Sequence, residues 1–426
     1  MTAVTPAPES TAHAVALPPR AWRIPILIGV VALVTFVVFG VFGDDREVLF
    51  AWASSGDAVP LDPTPANPQI LGYVLGTLAV LAAAAGFWFA AQRKSVPIWI
   101  SLIVGLAFLV NLVAWVGAGG RVPVVFLLTG AIGLSTAIVL GALAGVIGER
   151  VGIVNIAIEG QLLGGAFVAA VVASTTGNYL LAVVAAMVTG ALISMVLAAF
   201  SIVYLVDQVV VGVVLIGLVT AITNFFYSAV LGPNSAQFNN PGTMPRIPIP
   251  LLSDIPVLGP VLFNQRPTTY LMFLLVPLVW YMLFKTRWGL RVRSLGEHPL
   301  AADTVGIKVN RTRFWTLTVA GLIAGLGGAS LTVGSVGAFV REMSAGQGFI
   351  ALAAVILGRW NPWYAALAAL LFGFASNFRI WAGQAGAAIP PDLIAMTPYV
   401  VTILAVALVA GRVMGPRAAG KPYTKE

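Results

Sequence analysis

Residues 160–206, GQLLGGAFVAAVVASTTGNYLLAVVAAMVTGALISMVLAAFSIVYLV, form a stretch of 47 positions without a single charged side chain. Shorter uncharged stretches of 20, 26 and 27 residues occupy 24–43, 95–120 and 122–148. About 20 apolar residues of α-helix cross the hydrocarbon core of a bilayer. The repetition of such stretches predicts a protein that crosses a membrane many times.

The composition of the whole chain excludes other classes of protein. Apolar residues make up 59% of the 426 positions and charged residues 9%, with a mean hydropathy of +0.97. A soluble chain carries roughly a quarter charged residues, so a soluble fold, a disulfide scaffold and a disordered chain are all excluded. We attribute the net charge of +8 to the bias of Lys and Arg toward cytoplasmic loops, and not to nucleic-acid binding.

Catalysis and metal binding are not expected of this chain. The absence of cysteine excludes disulfides, thiolate metal sites and a cysteine nucleophile. His13 and His298 are the two histidines, too few for a zinc site or a Ser-His-Asp triad. We therefore predict no catalytic residue, no metal ligand and no enzyme activity.

Twelve apolar segments account for the membrane crossings. They are predicted at 24–43, 70–91, 98–117, 123–148, 152–173, 179–204, 209–230, 269–285, 314–334, 347–358, 362–381 and 392–411. With both termini in the cytoplasm, 17 of the 23 Lys and Arg residues fall on the cytoplasmic side and 6 on the outer side, as the positive-inside rule requires. The predicted fold class is an all-α polytopic membrane protein with about 12 membrane segments.

Two of these segments do not fit a plain membrane-spanning helix. The segment 347–358 is too short to cross alone, and 152–160 carries Asn155 and Glu159 inside an apolar run. Irregular backbone at membrane depth is tolerated only where protein or water covers it. Both segments are therefore predicted to belong to broken or re-entrant helices.

The segments outside the spans differ in character. Residues 1–23 are predicted to be a disordered cytoplasmic tail, and the apolar run that follows is too long for a cleaved signal peptide. Residues 231–268 hold eight prolines and cannot form one helix. We expect them to be an external loop, which serves either as a rigid connection or as a docking surface or outer gate. Residues 412–426 are predicted to be a second cytoplasmic tail.

Glu159 is the one carboxylate placed well inside an apolar region. A charge at bilayer depth must face the bundle interior, pair or become neutral. Two interpretations stay open: a polar lining or hinge on a translocation path, and a structural hydrogen bond to a neighbour such as Asn224. Proton coupling is disfavoured, because neither a second acid nor a histidine is predicted in the membrane interior. The translocation-path candidates are Asn155, Glu159, Gly160 and Asn224.

The segment Lys285–Arg313 holds seven Lys or Arg residues in 29 positions. One interpretation of this loop is a simple anchor, since Lys and Arg residues hold a loop on the cytoplasmic side of the membrane. Within it, however, Pro299 can begin a short helix and Gly306 can end it, which suits a lever for a cytoplasmic partner. The chain contains no G-x-x-x-x-G-K-[ST] sequence, so transport driven by ATP would need an ATPase on another polypeptide.

Three stretches, taken together and in this order, resemble one known family. They are GERVGIVNIAIEG at 148–160, GLRVRSLGEHPLAADTVGI at 289–307 and GQGFIALAAVILGRWNP at 346–362. They are similar to the permease subunits of bacterial ABC importers for nucleosides and simple sugars. The likeness is greatest to the second permease of nucleoside importers that work with basic-membrane-protein-type lipoproteins.

The resemblance implies a permease subunit of the bacterial cytoplasmic membrane that translocates nucleosides, with a simple sugar such as a pentose as the alternative substrate. It implies an ATPase subunit, usually with tandem domains, a second permease and an external substrate-binding lipoprotein. No cofactor is expected in this chain, since ATP and Mg would be bound by the ATPase. The residues implied to form the coupling helix that contacts the ATPase are Glu297, Pro299, Ala301, Ala302, Asp303, Gly306 and Ile307.

The chain departs from this family at its N-terminus. Three extra spans in 24–120 precede the expected permease core at 121–411, within which 286–313 is the cytoplasmic coupling loop. The alternative of another class is an ion-coupled secondary transporter that uses Glu159. That alternative predicts an internal inverted repeat, which is not seen in the sequence.

Overall fold

The computed structural model describes residues 22–54, 59–385, 396 and 415–424. Within these residues, ten helices are long and apolar enough to cross a membrane, so the chain is an all-α polytopic membrane protein. It divides into two compact units, of which the first contains Met1–Val48 and Pro65–Gly120 and the second Leu49–Thr64 and Arg121–Glu426. Residues 1–21 of the predicted tail lie outside the described residues. The predicted segment 392–411 also lies outside them, apart from Met396.

The first unit contains three membrane-length helices. They are α1 (Arg23–Val41, with π-helical last turns), α2 (Pro68–Ala91) and α3 (Ile98–Val116). Asn67 caps α2 by accepting a hydrogen bond from the Ile70 N–H at 3.1 Å, and Pro68 occupies the first helical position, where no N–H is needed. Helices therefore occupy the three segments predicted at 24–43, 70–91 and 98–117.

The second unit contains the remaining helices. They are α4 (Val124–Arg150), α5 (Ile158–Thr176), α6 (Tyr179–Val203), α7 (Gln208–Leu231), α8 (Ser235–Phe238), α9 (Pro267–Lys285), α10 (Arg287–Glu297), α11 (Pro299–Thr304), α12 (Val309–Val336), α13 (Gln347–Leu357) and α14 (Pro362–Gln384). The side chains of Asn178, Asp207 and Asn361 cap α6, α7 and α14. Because a cap satisfies the free N–H groups of the first turn, these polar residues determine where the apolar helices begin.

Short strands connect some of the helices. They are β1 (Val48–Ala51), β2 (Thr64–Ala66), β3 (Arg121–Pro123), β4 (Ile247–Pro248) and β5 (Asn264–Gln265). Leu49 of β1 pairs in parallel with Arg121 of β3, and β4 pairs antiparallel with β5. The Pro-rich segment 231–268 contains α8, the β4–β5 pair and a π-helical turn, so the prediction that it cannot be one helix is confirmed.

Glycine residues allow two helices in the core of the second unit to pack in backbone contact. Gly321 and Gly325 of α12 lie against the backbone of Gly190 and Ala186 in α6, so closely that a Cβ on either glycine would collide with main-chain atoms. Small residues allow helices in a membrane to approach to backbone contact, where van der Waals packing holds them together. The pair α6 and α12 therefore depends on the absence of side chains at these positions.

The two irregular segments predicted from the sequence are present, but one prediction has a wrong boundary. Helix α13 has only 11 residues, which at 1.5 Å per residue is about 16 Å and half of a membrane core. The predicted span 152–173 begins as a helix only at Ile158. Gly152, with φ of 92°, adopts a left-handed conformation that ends α4 and separates it from α5.

Replacing Gly325 by alanine is expected to lower the free energy of unfolding by about 1–3 kcal/mol, because the added methyl group overpacks the α6–α12 contact. The matched control is Gly217→Ala, since Gly217 lies within α7 with nothing within 4 Å of an added Cβ. That substitution should be neutral or stabilising, because alanine favours the helix. Unfolding in mixed detergent micelles, followed by tryptophan fluorescence, measures both. Equal effects of the two substitutions would contradict the packing role.

Candidate functional site

Glu159 lies at the first turn of α5 and joins it to the start of α13. Its Oε1 accepts a hydrogen bond from the Gly346 N–H at 2.8 Å, and its Oε2 accepts one from the Gly348 N–H at 2.6 Å. The residue is 7% exposed. The carboxylate therefore caps α13, whose first N–H groups have no partner within their own helix.

The local backbone is shaped for this contact. Gly346 has a φ of 80°, a left-handed conformation that glycine adopts without steric cost. A Cβ at Gly348 would collide with Glu159, so only glycine leaves room for the carboxylate. The N-terminal ends of both α5 and α13 carry partial positive charge. The charge of Glu159 is thus stabilised by two helix ends.

Asn224 does not form a hydrogen bond with Glu159. The sequence-based interpretation that paired these two side chains therefore named the wrong partner. The Asn224 Nδ2 donates instead to the Glu342 Oε1 at 3.3 Å. The physical reason is that the nearby main-chain N–H groups of α13 already occupy both oxygens of Glu159. Asn224 contacts the segment that leads into α13, and not the α5 end itself.

Asn155 and Gly160, the other predicted path residues, are buried near the break between α4 and α5. Asn155 is fully buried and exchanges hydrogen bonds with Gln161 at 3.2 and 3.4 Å. The Gln161 Nε2 also donates to the Ser194 Oγ at 2.8 Å. Gly160 lies against Ile216 of α7, where it permits close packing.

Gln161, Ser194 and Gln208 were not singled out from the sequence. The Gln208 Oε1 accepts from the Val154 N–H at 2.8 Å, so a side chain of α7 satisfies backbone that α4 and α5 leave free. The only signal in the sequence was an amide side chain within an apolar run. If such an amide is buried, it costs free energy unless it is hydrogen-bonded. Together these side chains hold residues 151–157 in place.

The segment 337–346, which leads into α13, is held by residues from other parts of the unit. Phe339 is 1% exposed and packs edge-on against Phe167 of α5 at a centroid distance of 5.2 Å. The Asn239 side chain bonds both the N–H and the C=O of Phe339, at 2.7 and 2.9 Å. The Pro-rich segment 231–268 therefore fixes the chain that enters α13.

A cavity of about 250 Å³, with more apolar than polar surface in its lining, lies between α4, α9 and α14. Its polar lining includes Thr129, Arg246, Gln265, Arg266, Ser335 and Asn377. The Arg266 Nη1 donates to the Gly334 C=O at 2.6 Å, and burial together with the charge of Arg246 lowers the pKa of Arg266. The four predicted path residues do not line this cavity.

The short helix predicted at the basic loop is confirmed as α11. Pro299 takes its first position, and the His298 Nδ1 accepts from the Ala301 N–H at 3.3 Å. Gly306, with φ of 84° and nothing near an added Cβ, follows its end. Ala302 is 3% exposed, whereas Leu300 is 46% exposed, so the helix presents one face outward and rests on the other.

The remaining predicted coupling residues surround α11. Glu297 is exposed at the end of α10, Asp303 is half-buried, and Ile307 packs partly buried against the main core. Within the residues that the structure describes, no three His, Cys, Asp or Glu side chains come together as metal ligands. The described residues around α11 offer a surface beside the end of α10.

The end of α4 connects this surface to the break. Gly296 of α10 lies against the Arg150 carbonyl, and the Phe284 ring lies between the guanidinium groups of Arg150 and Arg293, at 5.5 and 5.0 Å. The Arg150 Nε donates to the Trp360 C=O at 3.1 Å. Helices α4, α9 and α10 and the α13–α14 turn therefore meet at one point.

The second unit is a multi-pass bundle that contains a half-length helix, α13, and presents the short helix α11 at one end. The family model described as the branched-chain amino acid transport system permease component matches residues 127–407. The chain belongs to this permease family, whose members are membrane components of ABC transporters and not enzymes, the ATPase being a separate subunit.

Three relatives illustrate the similarity. The nucleoside ABC transporter permease NupC of Lactococcus lactis is 38% identical over 300 residues, covering 68% of this chain and 94% of the relative. The guanosine ABC transporter permease NupQ of Bacillus subtilis is 41% identical over 298 residues, covering 68% and 93%. The putative glucose ABC transporter permease TsgC13 of Haloferax volcanii is 30% identical over 270 residues, covering 62% and 80%. No solved structure shows significant similarity to the chain.

The substitution Glu159→Gln is expected to lower the free energy of unfolding by about 1–3 kcal/mol, the cost of a buried group left without its partner. The amide has one acceptor oxygen, so one N–H at the start of α13 loses its acceptor. The control is Glu47→Gln, because Glu47 is exposed in the first unit. Unfolding in mixed micelles compares both with the wild type. An unchanged stability of Glu159→Gln would contradict the capping role.

Proposed function

We propose that the chain is the permease subunit of an ATP-driven importer that carries nucleosides across the bacterial cytoplasmic membrane. The proposal is supported by the similarity to permeases named for nucleoside and guanosine transport, at 38% and 41% identity. The position of α11 also supports the proposed function. A six-residue helix that lies at the end of the bundle, beside the junction with α4, is suited to receive force from a separate ATPase.

The contacts suggest how a displacement of α11 reaches the interior. Helix α11 follows α10, whose Gly296 rests on the carbonyl of Arg150 at the end of α4. Helix α4 continues into 151–157 and then into Glu159, which holds the start of α13. A movement at α11 would thus shift the break and change the position of α13 relative to α5.

Glu159 is proposed as the hinge point of this movement. Its two hydrogen bonds to main-chain N–H groups can open and close together, whereas the helices on either side remain intact. Alternating access needs such a bistable element between rigid parts. We keep Asn155, Gly160 and Asn224 as candidates for the path beside it.

The proposed complex contains further subunits. We expect an ATPase, with tandem domains that bind ATP and Mg, to dock on Glu297–Ile307. A second permease would complete the path, and an external substrate-binding lipoprotein would deliver the nucleoside. In the proposed complex, both termini and α11 would lie in the cytoplasm, and 392–411 would be the twelfth span, as predicted from the sequence.

A simple sugar is the second candidate substrate, because one relative is named as a putative glucose permease. Ion coupling through Glu159 has less support, since both of its oxygens are engaged by α13. A competition experiment with guanosine uptake distinguishes the two candidate substrates. Excess adenosine should reduce guanosine uptake, and excess ribose or glucose should not.

The substitution Gly306→Trp is expected to reduce ATP-dependent guanosine uptake about tenfold, within the range of a coupling free energy of 1–3 kcal/mol. Tryptophan at a left-handed position would distort the end of α11 where the ATPase docks. Uptake is measured in proteoliposomes that contain the complete complex, with an ATPase lacking its P-loop lysine as the zero reference.

The matched control is Gly177→Trp. Gly177 also has a left-handed φ, of 65°, and nothing within 4 Å of an added Cβ, but it lies at the opposite end of α5 from Glu159. Local strain is the same in both substitutions, so the control should retain uptake. Equal loss in both variants, or uptake without a functional ATPase, would contradict the proposal.

A further inference from the structure

The cavity between α4, α9 and α14, here called the basic cavity, lies at the end of the bundle away from α11. Arg266 directly precedes α9, and Lys285 ends this helix next to α10. The 19 residues of α9 extend over about 28 Å at 1.5 Å per residue, close to the thickness of the hydrocarbon core of a membrane. Arg266 therefore lies at the depth of lipid headgroups, on the side of the membrane opposite to α11.

A pair of short strands brings a second arginine beside Arg266. Ile247 of β4 pairs antiparallel with Gln265 of β5, and the Tyr270 hydroxyl holds the pair, since it accepts from the Gln265 N–H at 3.1 Å and donates to the Ile247 C=O at 2.8 Å. The next opposing positions in this register belong to Arg246 and Arg266. Opposing side chains of an antiparallel pair lie on one face, and both arginines line the basic cavity.

The two positive charges lack an acidic partner in the cavity. Among the described residues that line it, none is Asp or Glu. Like charges at directly opposite positions of a strand pair are destabilising, and burial together with the charge of Arg246 lowers the pKa of Arg266. An anion placed between the two guanidinium groups would offset this repulsion. The arrangement is therefore that of an anion site.

The lining also contains hydrogen-bond donors that are not used within the described part of the chain. The Arg266 Nη1 donates to the Gly334 and Ser335 C=O groups at 2.6 and 3.2 Å, which holds the guanidinium in place, but its buried Nε has no partner there. Thr129 is 8% exposed, and its buried Oγ1 is likewise unpaired among the described residues. Buried polar atoms without hydrogen bonds cost free energy, so these atoms favour a ligand with acceptor oxygens.

A phosphate group matches these donors better than a carboxylate does. A guanidinium group binds two phosphate oxygens at once through parallel N–H donors. The tetrahedral arrangement of phosphate leaves further oxygens for the second guanidinium and for a hydroxyl group. The two oxygens of a carboxylate lie in one plane with a single guanidinium and are used up by it. Two arginines and a threonine around one cavity therefore indicate phosphate.

The size and the apolar lining of the basic cavity suit the phosphate of a lipid. Its volume of about 250 Å³ is below the about 300–1,000 Å³ of sites that enclose a drug-sized ligand, so it has room for a headgroup. Phe126 and Ile380 also line it and are exposed, where they can contact acyl chains. Basic pockets between membrane helices bind anionic headgroups in this way.

We propose that the basic cavity binds a phosphate group between Arg246 and Arg266, carried by the headgroup of an anionic lipid or free in solution. In this site Thr129 donates a hydrogen bond to one oxygen of the phosphate. The candidates for the translocation path do not line the cavity. The site is therefore separate from that path, and its test does not depend on the importer function.

The test measures two kinds of binding by the intact chain. In nanodiscs of phosphatidylcholine and phosphatidylglycerol, native mass spectrometry gives the ratio of the two lipids that the protein retains. In neutral detergent without lipid, equilibrium dialysis against radiolabelled inorganic phosphate measures binding of the free ion. Enrichment of phosphatidylglycerol supports the site with a lipid as the source. Binding of inorganic phosphate without such enrichment supports the site with the free ion as the source.

Arg246→Gln is the main variant, because Arg246 is exposed and its replacement leaves the bonds of Arg266 to α12 intact. We expect binding of the phosphate ligand to weaken about tenfold, as the loss of a hydrogen bond to a charged group would produce. Arg246→Lys should weaken it less, since lysine still binds phosphate as a point charge. Thr129→Val should weaken it about threefold without lowering the thermal stability, because the Thr129 hydroxyl bonds no other described residue.

The matched control is Arg121→Gln. Arg121 is exposed just before α4, at the same end of the bundle, and it does not line the basic cavity, so both kinds of binding should stay unchanged. Equal weakening in Arg121→Gln and Arg246→Gln would indicate general attraction of anions to a basic surface and would overturn the proposal. Unchanged binding in Arg246→Gln would also overturn it, as would a wild type that neither enriches phosphatidylglycerol nor binds phosphate.

An acidic side chain of the external lipoprotein is a different occupant of the cavity. It would be indicated if Arg246→Gln weakened binding of the lipoprotein while the binding of lipid and of phosphate stayed as in the wild type. That result would overturn the proposal of a phosphate site.

Discussion

The contact between the Glu159 carboxylate and the first turn of α13 is the interaction on which the second unit depends. A helix of 11 residues begins inside the bundle, where an unsatisfied N–H group costs several kcal/mol. A carboxylate buried in an apolar bundle is equally unfavourable. The two features stabilise each other, since the Gly346 and Gly348 N–H groups bind both oxygens and the helix ends supply partial positive charge. Loss of either partner would leave the other buried without compensation.

The same requirement explains the polar side chains around the break. Residues 151–157 leave the helical path, so their backbone groups need partners from elsewhere. Gln208 supplies one to Val154, and Asn155 bonds Gln161 beside the chain. On the other side of α13, Asn239 holds the backbone of Phe339. The irregular segments are therefore positioned by side chains from separate helices, and a shift of those helices can move them.

A continuous set of contacts connects this interior to the end of the bundle. Gly296 allows α10 to reach the carbonyl of Arg150, and Gly152 leaves room for Arg313. Ala418 lies across both glycines, since its N–H donates to the Gly296 C=O and its own C=O lies beside Gly152. In the proposed importer, whose ATPase is a separate subunit, force would enter along this set of contacts. The family match begins at residue 127, after the three helices of the first unit.

The sequence alone located the long apolar helices of the described residues, one of them with a start six residues too early, and the short helix before Gly306. It also marked Glu159 as a charge that needs a partner. These features depend on local chemistry: the length of an apolar run, the backbone freedom of glycine and the cost of one charge in an apolar segment. Only the tertiary structure decided the partners. Gly346 lies 187 residues from Glu159 along the chain, and the donors it offers are main-chain N–H groups, which every residue except proline carries. The docking of Ala418 on Gly296 likewise depends on a gap between helices that meet only in the folded bundle, because no local pattern records which backbone groups a fold leaves free.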